Sequence, residues 1–107
     1  SRQLKRILKR TGVGIARTGG YTGHGSGEVM IGFTTANRIP SGREEELLQI
    51  SAIPEHVINR AFLAAAEAEQ EAILNSMTAA KQTRGREGEL YYSLAEYLND
   101  REVETSK

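Results

Sequence analysis

Hydrophobic positions along the chain change period several times, and each change predicts an element. In residues 1–18, Leu4, Ile7, Leu8 and Ile15 form one apolar stripe at helical spacing, with Arg2, Lys5, Arg6, Lys9 and Arg10 on the other side. The pattern predicts a helix capped by Ser1 and ended by Gly19-Gly20. Gly12 and Gly14 weaken such a helix, so their place in it predicts the close approach of a neighbouring element. Residues 28–36, EVMIGFTTA, alternate with period two: Val29, Ile31 and Phe33 face one way, Met30, Gly32 and Thr34 the other. Both faces are apolar or small, as for a strand held between two layers. Between helix and strand lies GGYTGHGSG, residues 19–27, which holds five of the chain's 11 glycines. Ordering such a loop is entropically costly, so its shape is expected to serve an end.

Asn37, Pro40 and Gly42 mark a loop over 37–43, and 44–52 reads as short helical or irregular. Pro54 suits the first residue of a long helix running to about Ala80, with Glu55 at its positive end. Ala61, Ala65, Ala68, Ala72, Ser76 and Ala79 give that helix a small-residue edge, which predicts the close packing of another helix or a sheet. Residues 83–88 are a turn and Leu90–Tyr92 an extended stretch. Ser93 and Glu96 form a capping box that opens a short helix, with Leu94, Tyr97 and Leu98 inward and 101–107 frayed. The strand is alone in this order. Its backbone groups need partners that the chain hardly supplies, so the 107 residues read as a single segment of a larger α/β structure.

Composition points the same way. Hydrophobic residues are 38% and aromatics 6%, low for a self-sufficient core at this length. Lys+Arg and Asp+Glu are 14 each, which argues against a dedicated nucleic-acid module. The charge is nevertheless segregated: residues 1–18 carry no acid, whereas 44–71 are rich in Glu, so these faces can pair or stay solvated. The absence of Cys excludes disulfides, thiolate metal sites and a Cys nucleophile within the chain. No apolar run approaches the roughly 20 residues of a membrane span. No targeting segment is visible, and a cytoplasmic location is the expectation.

The densest candidate chemistry is Gly23-His24-Gly25-Ser26-Gly27-Glu28. A dinucleotide loop follows a strand and opens a helix, the reverse of the order here, and the Walker Lys-Ser/Thr pair is missing. The esterase elbow fails on the same order. Ser26 and Glu28 lie two apart at the start of a strand, so they project on one face beside a thin loop. Glu28 can orient a nucleophile, hold a substrate ammonium group or move a proton. The alternative is a turn serine beside a solvated strand-end acid. His24 and His56 lack a carboxylate cluster and make a poor metal site. Tyr91 and Tyr92 are expected to pack.

The run from Leu4 to Asn37 resembles the DmpA-type L-aminopeptidase/D-Ala-esterase/amidase family, which includes the β-peptidyl aminopeptidases. The residues that carry the likeness are Ile15-Ala16-Arg17-Thr18-Gly19, Gly25-Ser26-Gly27-Glu28 and Phe33-Thr34-Thr35-Ala36-Asn37, with a weaker continuation through Glu71–Asn75 and Gly85–Gly88. The resemblance implies a four-layer α-β-β-α sandwich, of which this chain is the small, C-terminal part. It implies a precursor that cleaves itself into a large and a small chain, with a Ser or Thr nucleophile activated by its own α-amine. Short peptides, amides or esters with a free N-terminal amine are the implied substrates, with no metal or other cofactor. The larger N-terminal chain of the same precursor is the implied partner, in an oligomer of heterodimers. Ser26 and Glu28 match the family's supporting serine and acid. The family's nucleophile opens a strand about a dozen residues before the position of Ser1, so Ser1 is not expected to be the nucleophile and the chain alone is expected to be inactive. A non-catalytic relative, serving as an assembly or ligand-binding subunit, is the alternative.

Overall fold

The computed structural model describes residues 1–42 and 47–105, with side chains to residue 100. Helix α1 spans Arg2–Arg17, and a turn of 3-10 helix at Glu55–Val57 leads into α2, Ile58–Ala79. Strands β1 (Thr83–Arg84) and β2 (Leu90–Tyr91) form an antiparallel hairpin, and α3 covers Leu94–Thr105.

α1 ends as its glycines require. Gly19 has φ +102°, and the Gly19 and Gly20 amides donate back to the carbonyls of Ala16 and Ile15. These are the two bonds of a Schellman motif, which satisfies carbonyls that the helix leaves open. α1 and α2 run side by side in the same direction. A side chain at Gly14 would lie 2.6 Å from the Ala66 carbonyl oxygen and 2.7 Å from the Glu69 Cβ, so the glycine is what lets the helices touch. Ile58 and Ala66 are the buried apolar side chains of the described residues, and both lie on α2. The expected close approach is thus present at Gly14. Gly12 meets only the tip of Met30, at 3.7 Å.

The small-residue edge is covered only in part: Ala61 and Ala65 are half-buried, whereas Ala68, Ala72, Ser76 and Ala79 are exposed. Ala66, beside that edge, faces Gly14. The basic face of α1 is more than a solvated face. Arg10 stacks on the Phe62 ring at 4.1 Å from its centroid, with Arg6 at 5.4 Å. Arg2 and Arg6 each place a guanidinium nitrogen 2.7 Å from the Glu55 carboxylate. Planar guanidinium groups gain from both arrangements.

Hydrogen bonds from Arg6, then Gln3 and Arg2, hold the Glu55 carboxyl below its ordinary range. A carboxyl lowered in the folded state contributes stability that is complete above its unfolded pKa and is lost as pH falls through the folded one. Glu55→Gln is therefore expected to flatten the acid side of the stability profile without changing its neutral plateau much, because the pair is exposed. Thermal melts of the full-length protein from neutral to about pH 3 check this. A variant profile parallel to the wild type at every pH would refute it.

Segment 28–36 runs antiparallel to α1. Leu8 occupies the space a side chain at Gly32 would need, Met30 reaches Gly12, and the segment's end at Thr34–Asn37 shares a cavity with Ser1–Leu4. The alternation is as expected: Met30 and Gly32 are partly covered, whereas Val29, Ile31 and Phe33 are 88%, 89% and 85% exposed. The segment pairs with no strand among the described residues, so it has the strand's pattern without a sheet.

Residues 47–54 have no regular structure, and Arg43–Glu46 lie outside the described residues. The stretch is fastened by two side-chain amides. Asn37 donates to the Ser51 carbonyl at 2.9 Å and accepts from its amide at 2.7 Å. Gln3 makes the same reciprocal pair with Ile53. Further along, the capping box is complete: Glu96 accepts from the Ser93 amide at 2.8 Å, and Ser93 Oγ accepts from the Glu96 amide at 3.2 Å. Two expectations for α3 fail. The helix is continuous to Thr105 where 101–107 were expected to fray, with 106–107 outside the described residues, and Tyr97 and Leu98 are more exposed than inward. Among the described elements α3 packs on α2, near its start.

The radius of gyration is 20.6 Å and the extents are 72 × 35 × 27 Å. A compact domain of this length has a radius of about 13 Å. The molecule is a mixed helix-and-strand unit whose Val29–Ile31–Phe33 face is exposed.

Candidate functional site

The glycine loop leaves α1 at Gly19 and turns again at residues 23–26, where the Ser26 amide donates to the Gly23 carbonyl at 2.9 Å. His24 and Gly25 occupy the corner of that turn. The chain then becomes extended, so Ser26 and Glu28 emerge on one side, two residues apart. Ser26 Oγ donates to Glu28 Oε1 across 3.4 Å, a long bond between two exposed groups. Both side chains border one open cavity of about 560 Å³, together with Ile15, Tyr21, Thr22 and His24. The structure therefore brings the two candidate residues together at a concavity beside the C-terminal end of α1.

Ser1 lies at the opposite end of α1, which is roughly 24 Å long at 1.5 Å per residue. Its α-amine does not meet the Ser26–Glu28 pair. His56 sits in the 3-10 turn near Glu55, away from the loop, and His24 is at the cavity rim. Among the described residues no three His, Asp or Glu side chains gather as metal ligands.

The sequence did not single out Tyr21, Thr22 or Ile15 as parts of this site. Thr22 has φ +52°, a left-handed conformation that is uncommon for a β-branched residue and costs about 1–2 kcal/mol. Its hydroxyl donates to the Tyr21 carbonyl at 2.7 Å. The sequence signal that could have found them is the glycine spacing itself, since Tyr21 and Thr22 are enclosed by Gly20 and Gly23.

Residues 1–91 match peptidase family S58. The chain belongs to that family. It is 34% identical over 86 residues to the β-peptidyl aminopeptidase BapA of Sphingosinicella microcystinivorans, covering 80% of this chain and 22% of that protein. The BapA of Sphingosinicella xenopeptidilytica is 29% identical over 93 residues, covering 86% and 23%. The crystal structure of the PH0078 protein from Pyrococcus horikoshii OT3 superposes with a TM-score of 0.83 at 46% identity, over 94% of this chain and 28% of that one. The chain thus spans about a quarter of the length of the relatives it matches. The resemblance seen in the Leu4–Asn37 run is to this same family.

Proposed function

We propose that these residues are the small-chain part of a peptidase that hydrolyses amide or ester bonds in short peptides bearing a free N-terminal amine. Ser26 and Glu28 act in it as supporting groups, and the nucleophile lies on polypeptide preceding Ser1. One observation supports this most strongly. α1 and segment 28–36 run antiparallel, so Ser1 and the Ser26–Glu28 pair stand about one helix length apart. An extended strand of seven or eight residues covers roughly that distance at about 3.3 Å per residue. A strand placed about a dozen residues before Ser1 therefore has room to begin beside Glu28, run parallel to segment 28–36 and turn into α1. Strand, α1 and segment 28–36 then make a parallel β-α-β unit, the usual way to join parallel strands.

In this reading the nucleophile's hydroxyl adds to the substrate carbonyl and its proton passes to the free α-amine. The C–N or C–O bond breaks, the leaving group takes up a proton, and water then hydrolyses the acyl-enzyme. Glu28 holds the substrate ammonium group or moves the proton, and Ser26 fixes the carboxylate through its hydroxyl. The bare Val29–Ile31–Phe33 face suits a second sheet supplied by a larger chain of the same precursor. That addition would complete a four-layer α-β-β-α sandwich. An oligomer of such heterodimers is part of the proposal.

The full-length protein tests it. Incubation is expected to give two bands on a denaturing gel and release of p-nitroaniline from aminoacyl p-nitroanilides. A protein that stays as one band and releases nothing would be a relative that retains the fold without the activity.

A further inference from the structure

The Ser26–Glu28 cavity has an apolar side that neither residue explains. Tyr21 is 87% exposed, and the edge of its ring carrying Cε2 and Cζ lies 3.1–3.4 Å from where a side chain at Gly23 would begin. The left-handed Thr22 between them sets that fold of the loop. Ile15, from the last turn of α1, borders the same cavity, and its Cγ2 methyl stands 2.7 Å from where a side chain at Gly20 would begin. Two glycines thus make room for two apolar groups, Gly23 for Tyr21 and Gly20 for Ile15. Both border the cavity that Ser26 and Glu28 enter.

We infer that Tyr21 and Ile15 form an apolar subsite that selects peptides whose amine-bearing residue has a large apolar side chain. The inference rests on the peptidase reading of the same cavity and adds a specificity to it. The chemistry follows from the lining. A free amine held at Glu28 leaves its residue's side chain within the cavity. The apolar side chains lining that cavity are Tyr21 and Ile15, and its carboxylate is Glu28 itself. An exposed ring of this kind gains by covering apolar surface and offers a small or acidic side chain little. Loss of such contacts lowers discrimination by about ten- to two-hundredfold.

The test compares kcat/KM for leucyl and glycyl p-nitroanilide in the full-length enzyme. Wild type is expected to favour the leucyl substrate, Tyr21→Ala to lower that ratio at least tenfold, and Tyr21→Phe to keep it. Gly20→Ala retains both apolar residues but pushes the Ile15 methyl aside, and is expected to lower the ratio as well. A ratio that survives both Tyr21→Ala and Gly20→Ala overturns the subsite while leaving the peptidase reading intact. If Tyr21→Ala is inactive on both substrates, the ratio in Gly20→Ala decides. A wild-type protein that hydrolyses neither substrate overturns the subsite, and the peptidase reading falls with it where the protein also stays as one band and releases nothing from any aminoacyl p-nitroanilide.

Discussion

Glu28→Gln is expected to lower turnover by about a hundredfold or more in the full-length protein under the proposed peptidase activity. The substitution keeps the length of the side chain and leaves an amide oxygen to accept from Ser26 Oγ, 3.4 Å away in the wild type. It removes the negative charge and the ability to take a proton. A loss in kcat with little change in fold therefore isolates the chemical role from any structural one. Exposure of both side chains makes this separation clean, because neither supports a core that the change would disturb. The measurement is steady-state kinetics on an aminoacyl p-nitroanilide, with a melting curve as the control for folding. Unchanged kinetics would remove Glu28 from the chemistry and leave Ser26–Glu28 as a loop hydrogen bond. A rise in KM alone would assign Glu28 to holding the ammonium group rather than to proton movement.

The second large effect is expected at Gly14. A Cβ there would meet the Ala66 carbonyl oxygen at 2.6 Å, the Glu69 Cβ at 2.7 Å and the Gln70 amide nitrogen at 2.9 Å. Two of these neighbours are backbone atoms of α2 and the third is a Cβ fixed to it, so no side chain can swing away to relieve the contact. Overpacking of this kind costs about 1–3 kcal/mol. Gly14→Ala recovers up to about 1 kcal/mol from its better helix propensity, so its net effect is smaller. Gly14→Val adds two further carbons and forgoes part of that propensity gain, and is expected to destabilise by about 2 kcal/mol or more. Chemical denaturation of the full-length protein reads the difference directly. The same substitution at Gly12, where the nearest atom is the mobile tip of Met30 at 3.7 Å, serves as the comparison and is expected to cost far less. Equal effects at the two glycines would show that Gly14 is not the contact point of the helices.

What the sequence revealed depended on how local the cause was. The Leu4–Ile15 stripe and Gly19-Gly20 are signals within one helix and its end, and α1 forms where they place it. Pro54 and Glu55 mark the entry to α2, although its first turn is 3-10 rather than α. The Ser93–Glu96 box is closed within four residues and is present bond for bond. Non-local causes were harder to read. Gly14 announces a close neighbour without saying that it is Ala66, and of the longer alanine edge only Ala61 and Ala65 are half-buried. Arg6 and Arg10 look like a solvated charge run until Phe62, more than 50 residues later, is brought beneath them. Nothing in Asn37 or Gln3 alone indicates that their amides bind alternate residues of the 51–53 stretch. The placing of Ser26 beside Glu28 was legible because strand spacing decides it. The shape of their cavity was not, since it depends on the Thr22 backbone and on a ring resting against Gly23.

The extended run from Glu28 to Ala36 has a consequence for how such a protein can be made. It pairs with no strand among the described residues, and it carries three large apolar side chains, Val29, Ile31 and Phe33, on an open face. A ribbon of that description is a template for its own kind: copies add edge to edge, and their ridges interlock into insoluble cross-β stacks. Synthesis of these residues by themselves therefore favours inclusion bodies. Soluble material calls for Val29, Ile31 and Phe33 to be covered before a second ribbon reaches them.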